Sequence, residues 1–238
     1  MATPITYPNP PIVEAALEFV FDAELSDEAH QAVKLALGAL YAGTTKNASR
    51  VERDGTGSTA ILMSTENRRD HIALGIDVAM LTVHTTAPYA GWGNITSRAE
   101  ASLGMYIEAY RPRGLKRVSV RYIDRILIPM QSSTKLNQYL TCVPTLPRGM
   151  APTMAAFQVA VQSVDHQAGI GTFLTIGSDD REEADGETGP VLYDIIVEKN
   201  FKPTVSVTQW VETANELHKR QREIFEASIT EQTRRLFQ

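Results

Sequence analysis

Glu14 and Glu18 lie four residues apart in one alternating run, and Arg121 and Arg125 repeat that spacing in a second. Alternate side chains of an extended chain share a face, so the two acids fall on one face of their strand and the two arginines on one face of theirs. On neighbouring strands such groups form cross-strand pairs, and bidentate Arg–carboxylate geometry orients as well as attracts. Two roles follow. One is a polar cluster on an open sheet face that binds an anionic ligand or a partner; the other is a structural ion-pair ladder covering that face. The two acids are roughly 13–14 Å apart along their strand. That is too far for a retaining glycosidase pair and beyond the usual inverting range.

No other reactive side chains fall into a catalytic pattern. The histidines, His30, His71, His84, His166 and His218, show neither HExxH nor HxH spacing. A hairpin turning between Ile76 and Ala79 sets His71 opposite His84, which begins a metal site but leaves a third ligand wanting; surface cross-strand neighbours are the alternative. Cys142 has no recognisable histidine partner and, beside Val143-Pro144, reads as a small buried apolar residue. There is no Gly-x-Ser-x-Gly elbow, GxGxxG or Walker loop. No catalytic residue, metal or cofactor is therefore assigned.

Nucleic acid would be met by basic clusters. The densest is Arg111, Arg113, Lys116 and Arg117, with a second group at Arg50, Arg53, Arg68 and Arg69. A solvated linker between a helix and a strand is the alternative for the first. The global charge argues little either way. Among 238 residues the formal charge is −5, and the segment Ser178 to Gly189 alone carries six acids against one base. The glycine-rich segment Gly177 to Pro190, which holds the acids from Asp179 to Glu187, is expected to be a mobile, solvated hairpin tip rather than a calcium loop. The rest of the chain is near neutral.

Hydrophobic residues make up 43% and charged residues 21%, enough for a sizeable core. No apolar run approaches the roughly 20 residues of a membrane span, and the N-terminus lacks the features of a signal peptide. A soluble cytoplasmic chain is the expectation, and one cysteine leaves no internal disulfide.

The elements that must hold these residues follow from periodicity. Alternation predicts a strand over Ile12–Asp22, and helical spacing after a Ser26 cap predicts a helix ending near Gly43. Strands follow at Ser49–Arg53, Thr59–Ser64, His71–Leu74 and Met80–Thr85, then a helix from about Ile95 to Tyr110. The second half repeats this order. A strand is predicted at Val118–Ile128 and a short helix near Leu136–Leu140. Strands at Ala156–Val164, Gly171–Ile176 and Val191–Glu198 come next, then one long helix from about Thr208 to Leu236. The period is about 105 residues. The expectation is an α+β fold of two duplicated strand-helix-strands-helix units, residues 1–114 and 115–238. They would form one continuous, largely antiparallel sheet with helices on one face, saddle-like or helix-grip-like. Two unrelated lobes joined at Arg111–Lys116 are the alternative.

Four blocks carry a resemblance. Pro10-Pro11-Ile12-Val13-Glu14-Ala15, Pro88-Tyr89 with Gly91-Trp92, Arg121-Tyr122-Ile123-Asp124-Arg125-Ile126 and Phe225-Glu226-Ala227-Ser228-Ile229-Thr230 occur in the order seen in a sporadically distributed family of uncharacterised bacterial proteins of similar length. The family pattern has asparagine where this chain has Asp124. The resemblance covers essentially the whole chain and implies kinship without an activity; the family's patchy distribution hints at defence or toxin–antitoxin modules.

The sequence favours a non-catalytic binding or protein-interaction module, with a protein partner or a homodimer. Trp92 and Trp210 serve either a dimer or the core. Nucleic-acid binding is the second reading. The third is a small-ligand protein or enzyme with a pocket between the sheet and the C-terminal helix, which a deep polar-lined cavity would promote.

Overall fold

The computed structural model describes residues 7–51, 57–129, 135–150, 156–179 and 188–238. Arg53 and the acidic run from Asp180 to Glu187 lie outside the described residues.

The first strand, β1 (Ile12–Asp22), has the expected bounds and buries Ala15, Leu17, Phe19 and Phe21 on one side. Ser26 caps α1 (Asp27–Gly38) by accepting a hydrogen bond from the Ala29 N–H, and two acids in the first turn suit the helix dipole. The helix ends at Ala39, short of Gly43. Then come β2 (Thr45–Val51), β3 (Gly57–Ser64), β4 (Asp70–Gly75) and β5 (Met80–Thr86). The helix α2 (Trp92–Tyr110) starts one turn earlier than its apolar stripe, at Gly91, whose φ of 96° lies in the region that favours glycine.

The second half brings β6 (Gly114–Pro129), β7 (Gln158–Asp165), β8 (Ile170–Ser178), β9 (Thr188–Val205) and α3 (Trp210–Ser228). The single long C-terminal helix is not observed. It breaks at Ile229, which is extended and bridges Leu140, and Thr230 caps a separate short helix, α4 (Glu231–Arg234). The break has a local cause. Thr141 N–H donates to Ser228 O and Thr230 N–H to Tyr139 O, so strand-like pairing replaces helical bonds.

The nine strands among the described residues form one antiparallel sheet, ordered β2-β3-β4-β5-β1-β6-β9-β8-β7. The fold is therefore α+β, with β1 and β6 side by side within it. Leu17 faces Val120 and Phe19 faces Val118 across that pair, and Val120 in turn faces Val197 of β9. One contiguous core lies between this face and the helices: Phe21 stacks on Tyr106 of α2 at 4.5 Å, and Phe19 meets Trp210 of α3 edge-on at 5.6 Å. Each such buried aromatic contributes roughly 1.5–3 kcal/mol relative to exposure. No helix among the described residues is long and apolar enough to cross a membrane.

Candidate ligand site

The open face of the sheet, opposite the helices, holds the sequence-predicted charges, but their partners differ from the expected ladder. In the β1–β6 register Ala16 faces Arg121, Glu14 faces Ile123 and Glu18 faces Ser119. Acids and arginines are offset by two residues, so they do not oppose each other. Glu18 instead accepts from Arg117 at 2.7 Å and from the Thr82 hydroxyl at 3.3 Å. Arg121 turns to β9 and grips Asp194 with two bonds of 2.8 and 2.7 Å. Arg125 donates to Asp179 at 3.2 Å, and Glu14 pairs with His84 Nδ1 at 3.2 Å. That His84 bond holds the Glu14 carboxyl below its usual range, against the opposing effect of burial.

Two further expectations are corrected here. Asp179 is not part of a solvated tip: it is buried at the end of β8, paired with Arg125. The basic cluster from the end of α2 into β6 is ion-paired in part. Arg113 and Lys116 both reach Asp22, at 3.1 and 3.4 Å, and Arg117 reaches Glu18. Arg111 is the left-handed residue ending α2, with φ 46°. The acids of β1 thus balance the bases that follow α2, which the separation of some 90 residues hides from a local charge count. His71 does face His84, with ring centroids 6.3 Å apart. Among the described residues, no group of three potential ligands is placed to hold a metal ion.

The helix-covered side offers something else, a cavity of about 460 Å³ between the sheet and α3. This is within the size range of small-molecule sites. Its lining draws on all four blocks singled out in the sequence. Pro10, Pro11 and Ile12 come from the start of β1, and Tyr89, Gly91 and Trp92 from the turn after the cis Ala87–Pro88 peptide. Tyr122 and Asp124 rise from β6, and Phe225 and Glu226 descend from α3. Helical spacing adds His218 and Arg222 on the same face of α3.

The walls are aromatic and fixed. Trp92 stacks on His218 at 4.1 Å and 8°, while its indole N–H donates to Asn215 at 2.7 Å. Tyr122 lies 5.7 Å from the same imidazole and shares a 2.6 Å hydroxyl–hydroxyl bond with Tyr89. Burial pushes Tyr89 up to about 12 and raises Tyr122 as well, so both phenols are neutral at pH 7. Burial, with help from the Arg222 charge, drops His218 to about 4 and keeps it neutral. At one rim Glu226 accepts from the Tyr7 hydroxyl at 2.7 Å and from Arg234 at 2.9 Å.

Asp124 differs from every one of these. It is 2% exposed, lines the cavity, and its Oδ2 has no hydrogen-bond partner among the described residues. Burial, then repulsion from Asp194, raises its carboxyl to about 7. A dry carboxyl without a donor is costly, and native proteins rarely keep one without a use. Chemically the site can grip a ligand between aromatic rings and satisfy one strong acceptor.

The sequence reading did not bring His218, Arg222 and Asp124 together. One signal was present: Asp124 is in phase with Val118, Val120, Tyr122, Ile126 and Ile128, the apolar face of β6. A carboxylate in a core column is the anomaly to follow. No protein-family model matches the chain, and no curated protein matches it.

Proposed function

We propose that this chain is a small-ligand-binding protein whose site is the cavity between β6, α3 and the Tyr89–Trp92 turn. The observation that carries the reading is convergence: four blocks spread from Pro10 to Glu226 line one cavity around a buried carboxyl with an unpartnered oxygen. Core packing alone would not select an acid at that position. Of the three functions expected from the sequence, this supports the third. The internal ion pairing of Arg113, Lys116 and Arg117 weakens the nucleic-acid reading. The open sheet face, where charges are already paired, offers a protein partner little unsatisfied chemistry.

The kinship with the bacterial family and the origin by duplication belong to the same proposal. The first rests on the four blocks being those that line the cavity. The second rests on β1 and β6 being adjacent, each opening a half whose longest helix, α2 or α3, packs on the same side.

A thermal-shift screen of small metabolites on the full chain tests the reading. Stabilising compounds are expected, and their binding should change Trp92 fluorescence, a response that Trp92→Phe removes. Hits whose protection in hydrogen exchange maps to the open sheet face, with none at Tyr89–Trp92, would overturn it.

A further inference from the structure

We infer that the cavity accepts a planar nitrogen heterocycle of the nucleobase class, whose N–H edge donates to Asp124 while its ring packs among Tyr89, Trp92 and Tyr122. The inference rests on the reading of the cavity as a ligand site and names what fills it.

Asp124 sets the first requirement. Its unpartnered oxygen needs a donor, and a buried acceptor of this kind rejects analogues that cannot donate. A bare metal ion is a poor candidate, because the described residues gather no set of three ligands. An alkylammonium would satisfy the carboxyl and enjoy the aromatic walls. However, Arg222 stands in the same lining, and its charge is felt at His218, Tyr89 and Tyr122. A second cation would meet that field. A neutral ring with an N–H edge meets the carboxyl without adding charge beside Arg222.

The walls set the second requirement. The stack of Trp92, His218 and Tyr122, fixed by the Trp92–Asn215 and Tyr89–Tyr122 hydrogen bonds, gives the cavity an aromatic wall that suits a π-system. The volume sets the third. At about 460 Å³ the cavity exceeds a free base, leaving room for a sugar or phosphate beside Arg222.

The groups around Asp124 bear on how binding responds to pH. They are Tyr193 and Asp194 on β9, Tyr122 on its own strand, Tyr89 on the turn, and His218 and Arg222 across the cavity on α3. The tyrosines and His218 are neutral near pH 7, whereas burial brings the Asp124 carboxyl to about 7. Its ionised form is the better acceptor, so affinity should rise as pH increases through about 7.

The experiment is calorimetric titration of the full chain with guanosine, adenosine, cytidine and their monophosphates, alongside Trp92 fluorescence. Two controls accompany them: dimethyladenosine, whose exocyclic amine is blocked, and naphthalenesulfonate, a planar ring without N–H. At least one nucleoside or nucleotide is expected to bind in the micromolar range. Asp124→Asn should weaken it about tenfold and flatten its pH dependence. If adenosine is the binder, blocking its amine should weaken it similarly, which tests the contact without altering the protein. If naphthalenesulfonate perturbs Trp92 while no nucleoside binds, or nucleoside binding ignores Asp124→Asn, the cavity stands as a ligand site and the ring class is wrong. If no probe perturbs Trp92 or the melting temperature, both readings fall.

Discussion

On the open face of the sheet, Glu18, Arg121 and Arg125 each meet an opposite charge within 3.2 Å; on the helix-covered face of the same β6 strand, the Asp124 carboxyl has an oxygen that meets no donor. From Arg117 onward, odd-numbered residues of β6 look out to the paired charges, and even-numbered residues look in to the core. Water can still reach much of the outer face, so long side chains there adjust to find partners at modest cost. The inner face is dry, and a short carboxyl anchored on the sheet cannot move to one. The contrast separates charge paired within the fold from a buried carboxyl that the proposed reading assigns to a ligand.

The largest expected effect is on the outer face. Arg117→Ala should lower stability by about 3 kcal/mol in urea unfolding, because it removes the closest cation from a Glu18 carboxylate that is only 7% exposed. Adding Glu18→Gln should recover part of the loss. If Arg117→Ala costs nothing, the outer pairs are ornament, and the contrast loses its structural half.

Next comes the inner face, with the opposite sign. Because the folded Asp124 titrates near 7 rather than in the usual carboxylate range, the folded state holds a proton that the unfolded chain releases. Stability is therefore intact below the unfolded value and is lost as pH rises from about 4 through about 7. The full ionisation cost is on the order of 4 kcal/mol above pH 8, and an asparagine amide restores part of it as its own burial penalty. Asp124→Asn should thus melt higher than the parent at pH 8, by about 2 kcal/mol of stability, and equal it near pH 4. A variant that is less stable at pH 8 would place Asp124 among the structural charges after all.

The smallest effect calibrates the others. Lys219 and Glu223 form an exposed i,i+4 pair at 3.9 Å on α3, away from both faces. Lys219→Ala should change stability by no more than about 0.5 kcal/mol at any pH from 5 to 9.

Much of the framework was legible because it depends on short-range rules. The bounds of β1, the Ser26 cap, the His71–His84 hairpin register and the split of β6 into two faces all follow from alternation and turn chemistry. Legibility failed where a distant element competes with local preference. The apolar stripe of α3 continues past Ser228, yet pairing with Tyr139–Thr141 stops the helix. The same limit governed the charges: spacing gave Glu14, Glu18, Arg121 and Arg125 their faces, but the two-residue offset between β1 and β6, and the arrival of Asp194 and Asp179, chose their partners. Which side chains share the cavity with Asp124 was equally remote, since His218 and Arg222 come from a helix some 95 residues onward.

By itself, then, the sequence determined period, face and burial, including the placement of one carboxyl in an apolar column, because these are set by neighbours a few residues away. Only the tertiary structure decided what each charge touches. Strand order and register bring together groups far apart in the chain, and they left open-face carboxylates with arginines or a histidine within reach and Asp124 with an oxygen facing no donor in a cavity walled by rings.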